Sequence, residues 1–252
     1  MEIRTEGEFS FADVGSGRPV LLLHGLFGAL SNWTGLINGF SDRYRLILPI
    51  LPIYDAASNV APNVEDLARF AADFMRRMKI GPCLTIGNSL GGHIGLILAL
   101  SSPELVKALV LTGSSGLFES GMGSTFPKIN NYEYIKERVG YTFYDPATAD
   151  KTLVDEVFET VNDRNKALRI IKIARAAQKS NMRDELPKIR KPVALIWGLN
   201  DTITPAYVAH EFFAFLPQAE ELHFIDRCGH AAMMERPDVF NQKLAPFLKK
   251  HA

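Results

Sequence analysis

The stretch Cys83-Leu84-Thr85-Ile86-Gly87-Asn88-Ser89-Leu90-Gly91-Gly92 decides how the rest of the chain is read. Leu84 to Ile86 reads as a strand buried on both faces, and Leu90 to Leu100 as a central helix that is apolar almost all round, stopped by Pro103. Between them Gly87-Asn88-Ser89-Leu90-Gly91 has the spacing G-x-S-x-G. Five-residue patterns arise by chance, so the context carries the weight: a strand leads in and a helix leads out. A turn of that kind holds its Ser in a strained backbone conformation. It needs small residues on either side, because side chains there would strike neighbouring elements. The helix N-terminus then sets its positive end near developing negative charge. The competing account is a Ser that only N-caps an ordinary helix.

Other continuous apolar runs extend the pattern: Pro19 to Leu23 (PVLLL), Arg45 to Ile50 (RLILPI), Ala108 to Leu111, Val193 to Trp197 and Leu222 to Ile225. Runs without alternation mark strands of a parallel sheet covered on both faces. Glu2 to Asp13 alternates weakly before the turn Gly15-Ser16-Gly17, which predicts one or two antiparallel edge strands. Helical spacing is clearest from Val64 to Met78, where Val64, Leu67, Ala71, Phe74 and Met78 share a face. Asn63 is its N-cap, with Asp66 in a variant of the capping box. Pro205 and Pro237 open two further helices, the last ending at Lys249 and Lys250. Alternating strands and helices predict an α/β fold with a mostly parallel sheet. The rhythm breaks between Gly116 and Ile189, and within that stretch Ala147 to Ser180 reads as helices. The expected organisation is a core from residues 1–115 and 190–252, with a helical cap, 116–189, inserted after the sixth strand.

Composition narrows the function. The chain has 252 residues, 47% of them hydrophobic, enough for a large core. Lys plus Arg number 28 and Asp plus Glu 28, a balance with no footprint for nucleic acid or an anionic membrane. No apolar run reaches the ~18 residues of a membrane span. The opening MEIRTEGEFS lacks the apolar region of a signal peptide, and the two cysteines, Cys83 and Cys228, are expected to stay reduced in a cytoplasmic protein. No H-E-x-x-H or Cys/His cluster suggests a metal, and no G-x-x-x-x-G-K-[ST] a nucleotide. The glycines at 121 and 123 fall in the cap, away from any strand–helix turn. No cofactor is expected; the partners are a small-molecule ester and water, and the chain is a monomer or homodimer.

A neutral Ser needs a base. Of six histidines, His230 follows the last strand in Asp226-Arg227-Cys228-Gly229-His230, at the sheet end where open α/β folds place their sites. His210 and His251 read as solvated surface and His223 as packing. His93 reads as a structural hydrogen-bonding residue, and His24 as a brace for the loop it opens. Asp201, after the seventh strand, is the acid that would orient His230; its plainer reading is a turn or capping Asp, and Asp226 is its rival. The end of the sixth strand, Thr112-Gly113-Ser114-Ser115-Gly116, carries no carboxylate. An oxyanion hole would take the backbone N–H of Leu90 and one from His24-Gly25-Leu26-Phe27-Gly28, with Leu26 preferred over Phe27.

His24-Gly25, Gly87 to Gly92, Asp201 and Cys228-Gly229-His230 together resemble the α/β-hydrolase superfamily over nearly the whole chain. Within it the chain is most similar to carboxylesterases and to meta-cleavage-product C–C hydrolases. Asn88 and Phe143-Tyr144-Asp145-Pro146 look like the latter. It departs from them in Leu26-Phe27-Gly28, where they carry a Gly-rich loop, and in Ala231, where they commonly have Trp. No cap Arg stands where theirs binds a substrate carboxylate, although Arg164 and Arg169 are not far off. Leu51-Pro52-Ile53-Tyr54-Asp55 replaces the superfamily's usual Asp-x-x-Gly-x-Gly-x-Ser loop after the fourth strand. A Ser at the elbow argues against dehalogenases and epoxide hydrolases.

The resemblance implies a triad Ser89, Asp201 and His230 that cleaves a small hydrophobic carboxylic ester through an acyl-enzyme. The alternatives are a C–C bond hydrolase, or a ligand-binding regulatory protein on the same fold. Phe27, Asn88, Phe118, Phe126, Phe143 and Ala231 are the candidate substrate contacts. Met122, Tyr141 and Tyr144 add to an aromatic, apolar cap, and Met233 and Met234 follow the base. Cap and core packing alone would explain much of that composition.

Overall fold

The computed structural model describes residues 1–55, 57–120 and 128–252. Its strands are β1 (Arg4–Glu6), β2 (Phe9–Val14), β3 (Arg18–Leu23), β4 (Tyr44–Pro49), β5 (Cys83–Asn88), β6 (Val106–Thr112), β7 (Val193–Gly198) and β8 (Ala219–Ile225). They form one sheet in the order β1-β2-β4-β3-β5-β6-β7-β8. β1 and β2 are the expected antiparallel edge; from β4 across to β8 every pairing is parallel. The helices are α1 (Thr34–Phe40), α2 (Val64–Arg77), α3 (Leu90–Ser101), α4 (Tyr132–Gly140), α5 (Lys151–Asn162), α6 (Arg164–Lys179), α7 (Ala206–Phe215), α8 (Ala232–Glu235) and α9 (Pro237–His251).

The continuous apolar strands are explained by cores on both faces. Leu21 and Leu23 of β3 belong to a core shared with α2, α3 and α7, whereas Val20 and Leu22 belong to one shared with α1, α8 and α9. Each of these side chains is essentially fully buried, a contribution of roughly 1.5–3 kcal/mol apiece. At the N-terminus of α2, Asn63 Oδ1 accepts from the Asp66 N–H at 2.8 Å, as predicted. The reciprocal half of the box differs, because Asp66 Oδ2 takes the Asn63 amide at 2.7 Å and the Asn63 backbone N–H goes to Ala61.

The segment between β6 and β7 holds α4, α5 and α6. Ile135, Val139, Val154 and Val157 of α4 and α5 join the core on the α9 side; Ile170, Ile173 and Ala177 of α6 join the α2 side. These helices therefore straddle the C-terminal ends of the strands, and a cleft lies beneath them. Helix α4 falls in the part of the cap for which no helix was expected. No helix among the described residues is long and apolar enough to cross a membrane.

Candidate active site

Ser89 sits between β5 and α3 at φ 54°, ψ −120°, a region non-glycine residues avoid. Its hydroxyl makes no capping hydrogen bond to α3, so the plain N-cap account fails. Neighbouring backbone enforces the strain. The Ser89 N–H donates to Thr112 O at 3.1 Å, and the Ser89 carbonyl accepts from Gly92, His93 and Ser115 at 3.0, 3.2 and 3.2 Å. A Cβ at Gly91 would collide with the Leu23 carbonyl, which explains a glycine there.

His230 lies in the loop after β8, and its Nδ1 is 2.8 Å from Asp201 Oδ2. Asp201 is buried, and both its oxygens are satisfied. Oδ1 accepts from the Ile203 and Thr204 N–H groups at 2.8 and 2.9 Å, and Oδ2 also accepts from Thr204 Oγ1 at 2.8 Å. Asp201 thus makes turn contacts through both oxygens and meets His230 through Oδ2. Trp197 Nε1 holds the Thr204 carbonyl at 2.7 Å and fixes this turn in the core. Burial opposes a charge on His230, but the charge and hydrogen bond of Asp201, with the charge of Glu119, outweigh it and raise its pKa above the ordinary value. The Nδ1 donation leaves Nε2 as the ring nitrogen able to accept a proton. Asp226, the rival acid, is exposed.

The loop after β3 closes against Ser89: a Cβ at Gly25 would stand 3.1 Å from Ser89 Cβ. His24 braces this loop as expected. Its Nε2 accepts from the Leu51 N–H at 3.2 Å, so Nδ1 carries the proton and donates to Gly25 O at 2.9 Å. Burial lowers its pKa and keeps it neutral. Tyr54 Oη donates to Leu26 O at 2.8 Å, which fixes the peptide that follows Leu26. The replaced loop after the fourth strand thus supports the loop after β3 through Leu51 and Tyr54. Leu90, first residue of α3, is buried behind Ser89.

A cleft of about 130 Å³ brings together Ser89, His230, Leu26, Phe27, Asn88, Phe143 and Ala231. Val139, Tyr141, Leu153, Val157, Ile203 and Met234 complete its apolar walls. Asn88 lines the cleft, but its amide is committed to Thr112 O at 3.0 Å and His230 O at 3.2 Å. It ties β5 to the loop that carries His230. Phe118 does not line this cleft; it is 44% exposed and lies against Tyr207, ring centroids 5.9 Å apart. Tyr144 is likewise exposed at the cap surface. Phe126 and Met122 lie outside the described residues.

Other expectations need correction. His93 was read as a hydrogen-bonding residue, yet it is wholly buried with neither ring nitrogen partnered among the described residues. Burial pushes its pKa down to about 4. His251 is no solvated tail: its side chain is 14% exposed, with Nε2 2.8 Å from Glu220 and its ring on Phe247. Arg169 does not reach the cleft, because it donates to Pro52 O and Val60 O at 2.9 and 2.7 Å, and Arg164 is exposed.

Residues that no spacing marks complete the site. Glu235 accepts from the Tyr144, Asp145 and Gly229 N–H groups at 3.1, 2.7 and 2.7 Å, and so joins the cap to the base's loop. His230 N–H donates to Thr142 O at 2.7 Å, and Thr202 Oγ1 to Tyr141 O at 3.2 Å. Glu119 and Arg138 also line the cleft.

Comparison with known proteins agrees with this geometry. A family model described as alpha/beta hydrolase fold matches residues 18–237. A 2-hydroxy-6-oxononadienedioate/2-hydroxy-6-oxononatrienedioate hydrolase from a Pseudomonas species is 27% identical, over 98% of this chain and 95% of that protein. An alpha/beta hydrolase enzyme from the metagenome of lagoon sediments at Mar Chica, Morocco, is 39% identical with a TM-score of 0.80, covering 99% of each chain. A meta-cleavage product hydrolase from Pseudomonas fluorescens shares the fold at TM-score 0.84 and 22% identity, over 96% of this chain and 94% of that one.

Proposed function

The chain belongs to the alpha/beta hydrolase fold family, and on that premise we propose that it is a serine hydrolase of small, hydrophobic carboxylic esters. The observation that carries the reading is the shared cleft: a strained, uncapped Ser89 and a His230 held by a fully hydrogen-bonded Asp201, under apolar walls. His230 takes the Ser89 proton as Oγ attacks the ester carbonyl. Asp201 holds the Nδ1–H tautomer and stabilises the imidazolium. The Leu26 and Leu90 amides hold the oxyanion; one such donor is worth about 3–4 kcal/mol in other enzymes. His230 then protonates the leaving alcohol and activates the water that frees the acid.

A second reading, hydrolysis of a C–C bond in a meta-cleavage product, is favoured by the names of the curated relatives. An ester panel graded by chain length, with a meta-cleavage dienoate included, separates the two. Ser89→Ala should lower kcat for the best substrate by about 10⁶-fold while the melting temperature holds. Retained turnover sinks the assignment. Prompt labelling of Ser89 by a fluorophosphonate supports an enzyme, and absence of labelling supports a ligand-binding protein.

A further inference from the structure

Glu119 brings a carboxyl group into a cleft whose walls are otherwise mostly apolar. It lines the same cleft as Ser89 and His230, and it also lines a second cavity of about 300 Å³ with Gly116, Leu117, Phe118, Ala177 and Gln178. It therefore stands in the wall between the two. Its position is fixed from the next residue: Ser120 N–H donates to Ile203 O at 2.8 Å and Ser120 Oγ to Thr202 O at 3.1 Å, on the loop that carries Asp201. The Asn88 amide nitrogen donates to two carbonyls, and Asn32 Oδ1 accepts from the Ala29 N–H at 3.2 Å. Arg138 lines the cleft from α4, with its guanidinium 5.8 Å from the Tyr141 ring centroid.

We propose that Glu119 sets the substrate class of this site, admitting uncharged esters and turning away esters that carry a carboxylate. The inference rests on the serine-hydrolase reading and goes beyond it by naming the charge that substrate must lack. The physical reason is direct. A substrate carboxylate brought beside the partly buried Glu119, in a cleft with mostly apolar walls, meets a like charge, an unfavourable contact. Burial raises the Glu119 pKa, opposed by the charge of His230 and reinforced by that of Asp201. Discrimination should therefore grow as pH rises through the Glu119 titration. Among the described residues, His230, Asp201, Arg138 and Tyr141, the last bonded to Glu137, are the other charged or titratable groups at the cleft. A ratio of kcat/KM values for two substrates cancels the steps that their titration affects equally.

The test compares p-nitrophenyl butyrate, mono-p-nitrophenyl succinate and its methyl ester, the last as an uncharged match in size. The purified full chain should prefer the methyl ester over the free acid, and Glu119→Gln should narrow that preference by about 10-fold or more, the scale of one close charge contact. Glu133→Gln, the same change of charge on the exposed face of α4, should leave the ratio where it was. Each ratio is read on one preparation, so a partly folded variant still reports it. An unchanged ratio in Glu119→Gln overturns the inference and leaves the serine-hydrolase reading standing. Failure of the unmodified chain to cleave any of the three esters overturns the ester reading, and the inference with it.

Discussion

The two walls of the cleft are built on different terms. On the sheet side, three polar side chains near Ser89 end on specific partners: Asp201 on four donors, His24 through both ring nitrogens, Asn88 on two carbonyls. On the cap side, Val139, Tyr141, Phe143, Leu153 and Val157 offer mostly apolar surface from α4, α5 and the loop between them. Hydrogen bonds in a buried site fail when an atom moves or is replaced, because the orphaned partner bears its whole desolvation penalty. Apolar walls tolerate exchange at similar volume. On the proposed serine-hydrolase reading, the sheet side would fix what reaction occurs, and the cap side which molecule undergoes it.

Substitutions can break that contrast or sharpen it. Asp201→Asn, which leaves shape intact but disturbs the tautomer of His230, should lower kcat by about 10⁴-fold in a p-nitrophenyl ester assay. A loss under about 10-fold would erase the distinction between the walls.

Other buried groups on the sheet side depart from that pattern: His93, Thr112 Oγ1 and Ser115 Oγ have no hydrogen-bond partner among the described residues. The His93 pKa is about 4 in the folded chain against 6.5 for an ordinary His, so between these values the unfolded chain binds the extra proton. Stability is then full above pH 6.5 and falls as pH drops toward 4, by roughly 3 kcal/mol. His93→Leu should remove that part of the acid sensitivity in urea melts across the interval, and identical pH slopes would show that His93 does not produce it. Val157→Ala, on the cap wall, should act least. It should move kcat/KM by no more than about 10-fold, mainly through KM, and lengthen the preferred acyl chain in the ester panel. A collapse of kcat would put chemistry on the cap.

The framework was legible where local sequence and position agree. Ser89, Asp201 and His230 each follow a buried strand, and the runs before them mark those strands directly. Helix α1 was hidden because Gly35 and Gly39 suppress its propensity. A Cβ at either would press into Pro237 or Asn241 of α9, so tertiary packing requires what local preference forbids. Helix α4 shows only Ile135 and Val139 as fully buried apolar positions, too few for a period to emerge. Tyr54, Thr204, Glu235 and Glu119 act through contacts made only once the chain has folded. Phe118 was misplaced because an aromatic in a cap packs on a neighbouring ring as readily as on a substrate.

The joints between the cap and the base's loop constrain how this molecule can breathe. Residues 141–145 hang on Thr202, on the His230 N–H and on Glu235, which also grips Gly229. That rim is a door jamb and not a door. Swinging it aside would unseat the imidazole, so on the proposed mechanism a guest arriving by that route would find Ser89 without its proton acceptor.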